Sequence, residues 1–179
     1  MKVASNNFVF RNLPLGELVT PTDVVLPVSI RPFPVVTFLR RETRWAGIVP
    51  PALLSPPNKP ALEFEGQPMW HEFIVLALLK RDGWDGVWTK NFGGAAFWTG
   101  PGVEKAIPSK AMETFEGLKK IVGKGGSWDV FAWRDEGLLF VESKQRAKDK
   151  LRENQLRWLE SGLQADCQIG FAIAEYTLG

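Results

Sequence analysis

Three ionisable residues in the second half of the chain have types and spacing suited to hydrolytic chemistry. Glu142 and Lys144 lie two positions apart at the end of an apolar run, and Asp129 stands at the start of the apolar run before it. Alternate side chains of a β-strand share a face, so Glu142 and Lys144 are expected side by side. If Arg134 pairs with Gly137 in a hairpin, Asp129 stands directly opposite Glu142, with Cβ atoms about 4.5–5.5 Å apart.

This arrangement predicts a metal site. Two carboxylates that face each other repel unless a proton or a cation lies between them. Oxygen ligands of this kind select Mg²⁺, Mn²⁺ or Ca²⁺. Lys144, expected to be mostly exposed at its strand end, can orient a water molecule or stabilise developing negative charge. A metal-activated water beside a fixed cation is suited to phosphodiester hydrolysis.

The composition excludes several other chemistries. The 179 residues include one histidine, His71, and one cysteine, Cys167. Protein zinc sites take several Cys or His ligands, and a serine triad would have to use His71. We interpret Cys167 as a small buried thiol and His71 as a satisfied, partly buried side chain. The net charge of +2 and the 45% hydrophobic content exclude a highly charged disordered chain.

The elements that must position these residues alternate between helix and strand. Helical periodicity predicts helices over 69–81, 109–122 and 146–162. Short apolar runs bounded by turn residues predict strands over 86–89, 95–99, 128–133, 138–144 and 168–178. The first helix is apolar almost all round and should be buried, and Ser109 is the expected N-cap of the second. The order is typical of an α/β fold with a mixed central sheet flanked by helices.

The first third of the chain has a different character. Ten of the thirteen prolines lie in the first 60 residues. Proline ends helices and is confined to strand edges and turns, so we predict short strands and extended loop, with a stiff linker over 50–60. This divides the chain into a proline-rich β/extended segment, 1–65, and a core, 66–179. The N-terminus lacks the pattern of a signal peptide, and a cytoplasmic location is expected.

The predicted helix over 146–162 adds two features. Gln155 lies in the middle of its apolar face, and a buried amide needs a partner. That partner is either a backbone group of the core or a group at the site, and the sequence leaves both open. Basic residues near Lys144 are expected to contact phosphate; they are Arg146, Lys148, Lys150 and Arg152, with Arg157 further along.

These residues resemble the PD-(D/E)XK nuclease superfamily, the restriction-endonuclease-like fold, and within it the Holliday-junction-resolvase and VRR-NUC types. The family pattern has a Glu on a first core helix, an Asp opening one strand, Glu-x-Lys ending the next, and a Gln on the helix that follows. The matching residues are Glu72, Asp129, Glu142-Ser143-Lys144 and Gln155. Trp128 replaces the usual proline before the aspartate, and the resemblance covers about residues 66–178.

The resemblance implies Mg²⁺-dependent phosphodiester cleavage, with Mn²⁺ as the substitute ion. It implies that Asp129, Glu142 and the carbonyl of Ser143 hold the metal and that Lys144 positions water. Glu72 and Gln155 complete the catalytic set that it implies. We therefore expect a hydrolase that acts on DNA as an endonuclease. Cleavage of both strands needs two active centres or an enzyme that reorients, and we expect a homodimer because a two-fold dimer is the commonest closed arrangement. The alternatives are a member of the fold that binds nucleic acid or protein without cutting, and an interaction protein that docks a partner through its proline-rich segment.

Overall fold

A computed structural model of the chain describes residues 10–25, 32–54, 59–89, 97–123, 125–135, 137–165 and 169–179. Its strands are β1 (Glu17–Val25), β2 (Pro32–Glu42), β3 (Leu62–Phe64), β4 (Gln67–Met69), β5 (Asp85–Trp88), β6 (Trp98–Gly100), β7 (Val103–Glu104), β8 (Val130–Arg134), β9 (Gly137–Gln145) and β10 (Ile169–Leu178). Its helices are α1 (His71–Arg81), α2 (Ser109–Val122) and α3 (Glu153–Ala165).

Eight of these strands form one mixed sheet. Their order is β1-β2-β10-β9-β8-β5-β6-β7, and β3 and β4 form a separate hairpin. Strand β10 runs parallel to both β2 and β9, whereas the other pairs in the sheet are antiparallel. The predicted class, a mixed α/β fold with its large sheet flanked by helices, is confirmed.

The two faces of the sheet carry separate apolar layers. Val130 and Val141 belong to the layer that contains the buried side of α1. Phe131 and Phe140 belong to the opposite layer, which contains the apolar sides of α2 and α3. The rings of Phe131 and Phe140 stack with their centroids 4.6 Å apart. The side-chain alternation predicted for these strands therefore agrees with the observed core. The two faces of the β8–β9 hairpin pack against different helices.

The N-terminal strands differ from the short ones expected. Strands β1 and β2 contain 9 and 11 residues and extend the same sheet as the predicted core strands. Pro32 and Pro34 lie where β2 pairs only with β1, because pairing with β10 begins at Val36. A proline lacks the N–H that pairing with a second strand would need. Both prolines are therefore tolerated where β2 has only one neighbouring strand. Strands from both sides of the predicted boundary at 65/66 thus share one sheet.

Some predicted boundaries also shift. Helix α1 begins at His71, because residues 67–69 belong to β4. Helix α2 has the predicted bounds, but Pro108 occupies its N-cap position, so the expected N-cap role of Ser109 is wrong. Pro51–Leu53 forms a short 3-10 helix within the predicted linker, and Leu53 is buried. Residues 55–58, 90–96 and 166–168, with Cys167, lie outside the described residues.

The largest correction concerns α3, which begins at Glu153 and not at residue 146. The chain after β9 turns first. The main-chain N–H of Gln145 donates to the Asp149 carboxylate at 3.0 Å, and Ala147 has a φ of 63°. A left-handed residue cannot continue a right-handed helix. The basic residues from Arg146 to Arg152 therefore lie on a connection and not on a helix face.

Two helical glycines provide a test of the packing between α3 and β10. A Cβ on Gly162 would lie 2.5 Å from Cζ of Phe171, whereas a Cβ on Gly117 of α2 would meet nothing within 4 Å. We expect Gly162→Ala to lower the free energy of unfolding by about 1–3 kcal/mol through overpacking. Gly117→Ala should raise it by about 0.4–1 kcal/mol. Urea denaturation measures both, and a stabilised Gly162→Ala variant would contradict the described packing.

Candidate active site

The β8–β9 hairpin brings Asp129 and Glu142 together. Arg134 pairs with Gly137 and Val130 with Val141, so the predicted register is confirmed and Asp129 stands opposite Glu142. The main-chain N–H of Asp129 donates to Oε2 of Glu142 at 3.0 Å. The main-chain N–H of Ser143 donates to Oδ2 of Asp129, also at 3.0 Å. Each carboxylate is thus held by the backbone across the hairpin.

Both carboxylates are buried, with 4% of Asp129 and 1% of Glu142 exposed. An ionised carboxylate out of water is costly unless hydrogen bonds or opposite charge compensate it. Main-chain N–H donors supply part of that compensation. The two carboxylates nevertheless repel each other, which favours a cation at this end of the hairpin.

Lys144 supplies one cation from within the chain. Its Nζ lies 3.0 Å from Oε1 of Glu142 and donates to Oε1 of Gln155 at 3.3 Å. Lys144 is only 8% exposed, so the expectation of a mostly exposed strand-end lysine is wrong. The reason is that α3 packs over the end of β9 and carries Gln155 onto the ammonium group. Lys144 is therefore a fixed cation beside Glu142.

Gln155 has both kinds of partner that the sequence left open. Its side-chain N–H donates to Oε1 of Glu142, and its Oε1 accepts from the main-chain N–H of Arg152 at 3.0 Å. Its main-chain carbonyl accepts from the indole N–H of Trp128 at 3.0 Å. Trp128, at the position before Asp129, thus fastens the start of β8 to α3. The amide joins the charged pair to the first turn of the helix.

His71 fastens the other side of the hairpin end to α1. Its Nδ1 and Oγ of Ser143 are hydrogen-bonded at 2.7 Å, and its ring centroid lies 4.3 Å from that of Tyr176. Burial, with a smaller contribution from Arg40, lowers the pKa of His71 to about 3. The imidazole is therefore neutral at neutral pH. The expected satisfied histidine is confirmed and is more fully buried than predicted.

Glu72 enters from the first turn of α1. It is 7% exposed and pairs with Nζ of Lys59. Burial raises the pKa of the Glu72 carboxyl, and Lys59 opposes that shift. The ammonium of Lys59 also lies over two indoles, 5.6 Å from the ring centroid of Trp70 and 5.1 Å from that of Trp88. The sequence interpretation missed Lys59.

A cavity of about 630 Å³ joins these groups. All of the predicted catalytic and metal-binding residues line it: Glu72, Asp129, Glu142, Ser143, Lys144 and Gln155. Of the predicted phosphate contacts, Arg152 lines this cavity and Lys148 lines a smaller one beside it. Arg146 lies near Glu175, with 3.6 Å between Nε and Oε2, and Lys150 is exposed on the same connection.

Two further wall residues support the start of β8. The main-chain N–H of Thr89 donates to the carbonyl of Asp129 at 2.8 Å, which continues the β5–β8 pairing past the last strand residue. Gly126 approaches α3 so closely that a Cβ would lie 2.6 Å from the carbonyl oxygen of Asn154. The adjacent glycines at 125 and 126 were the signal for this approach, whereas Thr89 had none in the sequence.

The donor set at the hairpin end fits a hard divalent cation. The N–H and C=O of one strand residue point to the same side, so the Ser143 carbonyl lies on the β8 side of its strand, as its N–H does. Two carboxylates and one carbonyl offer oxygen ligands of the kind that Mg²⁺ and Mn²⁺ take. Among the described residues, no three His, Cys, Asp or Glu side chains group as metal ligands. A metal bound here would therefore complete its coordination with water.

Comparison with known proteins assigns no family to the chain. No protein-family model, no curated protein and no solved structure matches the chain. The resemblance drawn from the sequence therefore depends on the residues and their arrangement.

Among the described helices, none has both the length and the apolar character of a membrane span.

Two glutamines of α3 test the bridging role of Gln155. Gln155→Leu should lower the free energy of unfolding by about 1–3 kcal/mol, because the Arg152 N–H loses its acceptor and buried Glu142 loses a donor. Gln164 is exposed on the same helix, and Gln164→Leu should change stability by no more than about 0.5 kcal/mol. Urea denaturation without added metal gives both values. Equal effects of the two substitutions would show that the bridge contributes nothing.

Proposed function

We propose that this protein is a Mg²⁺- or Mn²⁺-dependent nuclease of the PD-(D/E)XK type that hydrolyses phosphodiester bonds in DNA. One observation carries the proposal: two buried carboxylates face each other at the end of a hairpin, with a buried lysine two residues further along the same strand. Structural ion pairs on a strand end are usually solvated, and burying this many charges is costly. These charged residues line a wide cavity, and a role in binding a substrate there would explain why the cost of burying them is retained.

In the proposed site, Asp129, Glu142 and the carbonyl of Ser143 hold the metal ion. The bound ion would lower the pKa of a water molecule and stabilise charge on the phosphate oxygens. Lys144 orients the attacking water and offers a fixed positive charge to the transition state, where such preorganised groups have their largest effect. Gln155 keeps the lysine and Glu142 in position.

The fold order supports the same assignment. A helix that carries Glu72 precedes three antiparallel strands, β5, β8 and β9, and α3 then leads to β10, which is parallel to β9. The segment between β5 and β8 adds β6 and β7 on the far side of β5. It therefore does not separate Glu72 from Asp129, and both line one cavity.

DNA is the proposed partner because of the cations around the cavity. Arg152 lies on the wall, and Arg146, Lys148 and Lys150 are exposed on the connection that leads to it. Exposed cations on a connection between elements suit contacts to a phosphate backbone, which carry little sequence information. Endonuclease action, a homodimer and a cytoplasmic location stay predictions from the sequence.

A second function has one observation in its favour. Lys144, Glu142 and Gln155 contact each other within the chain, so they could serve the fold of a non-cutting nucleic-acid- or protein-binding member. The reciprocal hydrogen bonds of Asp129 and the presence of Glu72 at the same cavity favour the nuclease. Substitutions that keep the fold and remove the chemistry distinguish the two functions.

Asp129→Asn tests the metal site. An asparagine oxygen can still accept the hydrogen bond from Ser143, so the fold should be retained. The lost charge should weaken Mn²⁺ binding by at least about tenfold, since even outer groups of metal sites contribute that much. Asp135→Asn, at the other end of the same hairpin, is the matched control and should bind as the wild type does. Isothermal titration calorimetry with Mn²⁺ measures both, and equal affinities would remove Asp129 from the site.

Lys144→Met tests catalysis. Linear, supercoiled, branched and single-stranded DNA are incubated with Mg²⁺ or Mn²⁺, and the initial rate of cleavage is measured. The substitution should lower the rate at least about 10²–10³-fold while DNA affinity in Ca²⁺ changes little. Because Lys144 is buried beside Glu142, stability should also fall, so each assay is run well below the measured Tm.

The matched control is Lys119→Met, which removes an exposed lysine of α2 and should cleave as the wild type does. Wild-type protein that binds Mn²⁺ and DNA without cutting any of the four substrates would favour the non-cutting member. A Lys144→Met variant that cuts at the wild-type rate would remove this lysine from the mechanism.

A further inference from the structure

Lys59 enters the cavity from a part of the chain that the nuclease resemblance does not cover. It belongs to the proline-rich segment, yet its ammonium pairs with Glu72 at the wall of the cavity. Its side chain is 24% exposed, and that of Glu72 is 9% exposed. The ammonium also lies over two buried indoles, those of Trp70 and Trp88. A lysine held by a carboxylate and two rings is positioned and does not sample solvent freely.

The charges of the cavity explain why a cation is needed there. Three buried carboxylates line it, from Glu72, Asp129 and Glu142. Lys144 lies at Glu142, so it compensates one side of the cavity. Glu72 also lines the cavity, and Lys59 is its ion-pair partner. Among the described residues, no three acidic side chains group as metal ligands, so Glu72 does not join Asp129 and Glu142 around one ion.

We propose that Lys59 is a built-in cation that occupies the place of a second metal ion, so that the cavity takes a single divalent ion at Asp129 and Glu142. This inference depends on the proposed metal site. The charges of two lysines, one divalent ion and three carboxylates sum to +1. This net charge is balanced by one phosphodiester group, which carries a charge of −1. A second divalent ion beside Glu72 would have to displace the ammonium from its carboxylate and from both indoles.

The test counts metal ions and does not depend on cleavage. Isothermal titration with Mn²⁺ alone, without DNA, is performed on wild-type protein, Lys59→Gln, Lys59→Arg and the double variant Lys59→Gln/Glu72→Gln. Lys105→Gln is the matched control, because Lys105 also forms an ion pair, with Asp85, away from this cavity. Thermal melts confirm that each protein is folded, and Lys59→Met, which keeps an apolar stem against the indoles, replaces Lys59→Gln if that variant unfolds.

We expect one Mn²⁺ per chain for the wild type, Lys59→Arg and Lys105→Gln. Lys59→Gln should bind two ions, and the double variant should return to one, because the second ion requires the Glu72 carboxylate. Two ions in the wild type, or one ion in Lys59→Gln, would overturn the role of Lys59. No bound ion in the wild type would instead overturn the metal site itself and the proposed function with it.

Discussion

The pair of hydrogen bonds that crosses the end of the β8–β9 hairpin is the constraint on which the site depends. Each bond joins a main-chain N–H to the carboxylate of the facing strand, from Asp129 to Glu142 and from Ser143 to Asp129. Because these donors belong to the backbone of the paired strands, the carboxylates cannot separate without losing both hydrogen bonds. The hairpin register, set by pairing between Arg134 and Gly137, thus places the two charges.

The surrounding elements compensate those charges from both faces of the sheet. On one face α3 brings Gln155 to Glu142 and Lys144. On the other face α1 brings His71 to Ser143 and Glu72 to the cavity, where Lys59 pairs with it. Removing one partner of such a buried network typically costs more than the network contributes as a whole. Burying the charged cluster therefore lowers the stability of the fold, and packing of the large aromatic layer around Phe140 offsets this cost.

Much of this site was predictable from local rules. Strand alternation and a short turn are sufficient to place Asp129 opposite Glu142, and helical periodicity places Gln155 on a buried face. The start of α3 was not predictable in that way, because the residues after Gln145 include good helix formers. A side-chain contact from Asp149 and the left-handed Ala147 favour a turn instead. The burial of Lys144 follows from α3 packing, which is a tertiary effect.

Long-range contacts account for the remaining differences. Lys59 lies among prolines, and nothing in the sequence around it indicates Glu72, thirteen positions away. The length of β2 depends on its parallel pairing with β10, a partner from the other end of the chain. Local propensity correctly predicts that proline is unfavourable in a central strand. It cannot show that β2 has two neighbouring strands only over 36–39.

The most direct measurement of the central claim is a crystal structure of the protein grown with Mn²⁺, with anomalous diffraction used to locate the ion. The account predicts an anomalous peak at the hairpin end, about 2.0–2.6 Å from a carboxylate oxygen of both Asp129 and Glu142. A peak that contacts only one of these residues, or no peak there in a crystal that contains Mn²⁺ elsewhere, would contradict it.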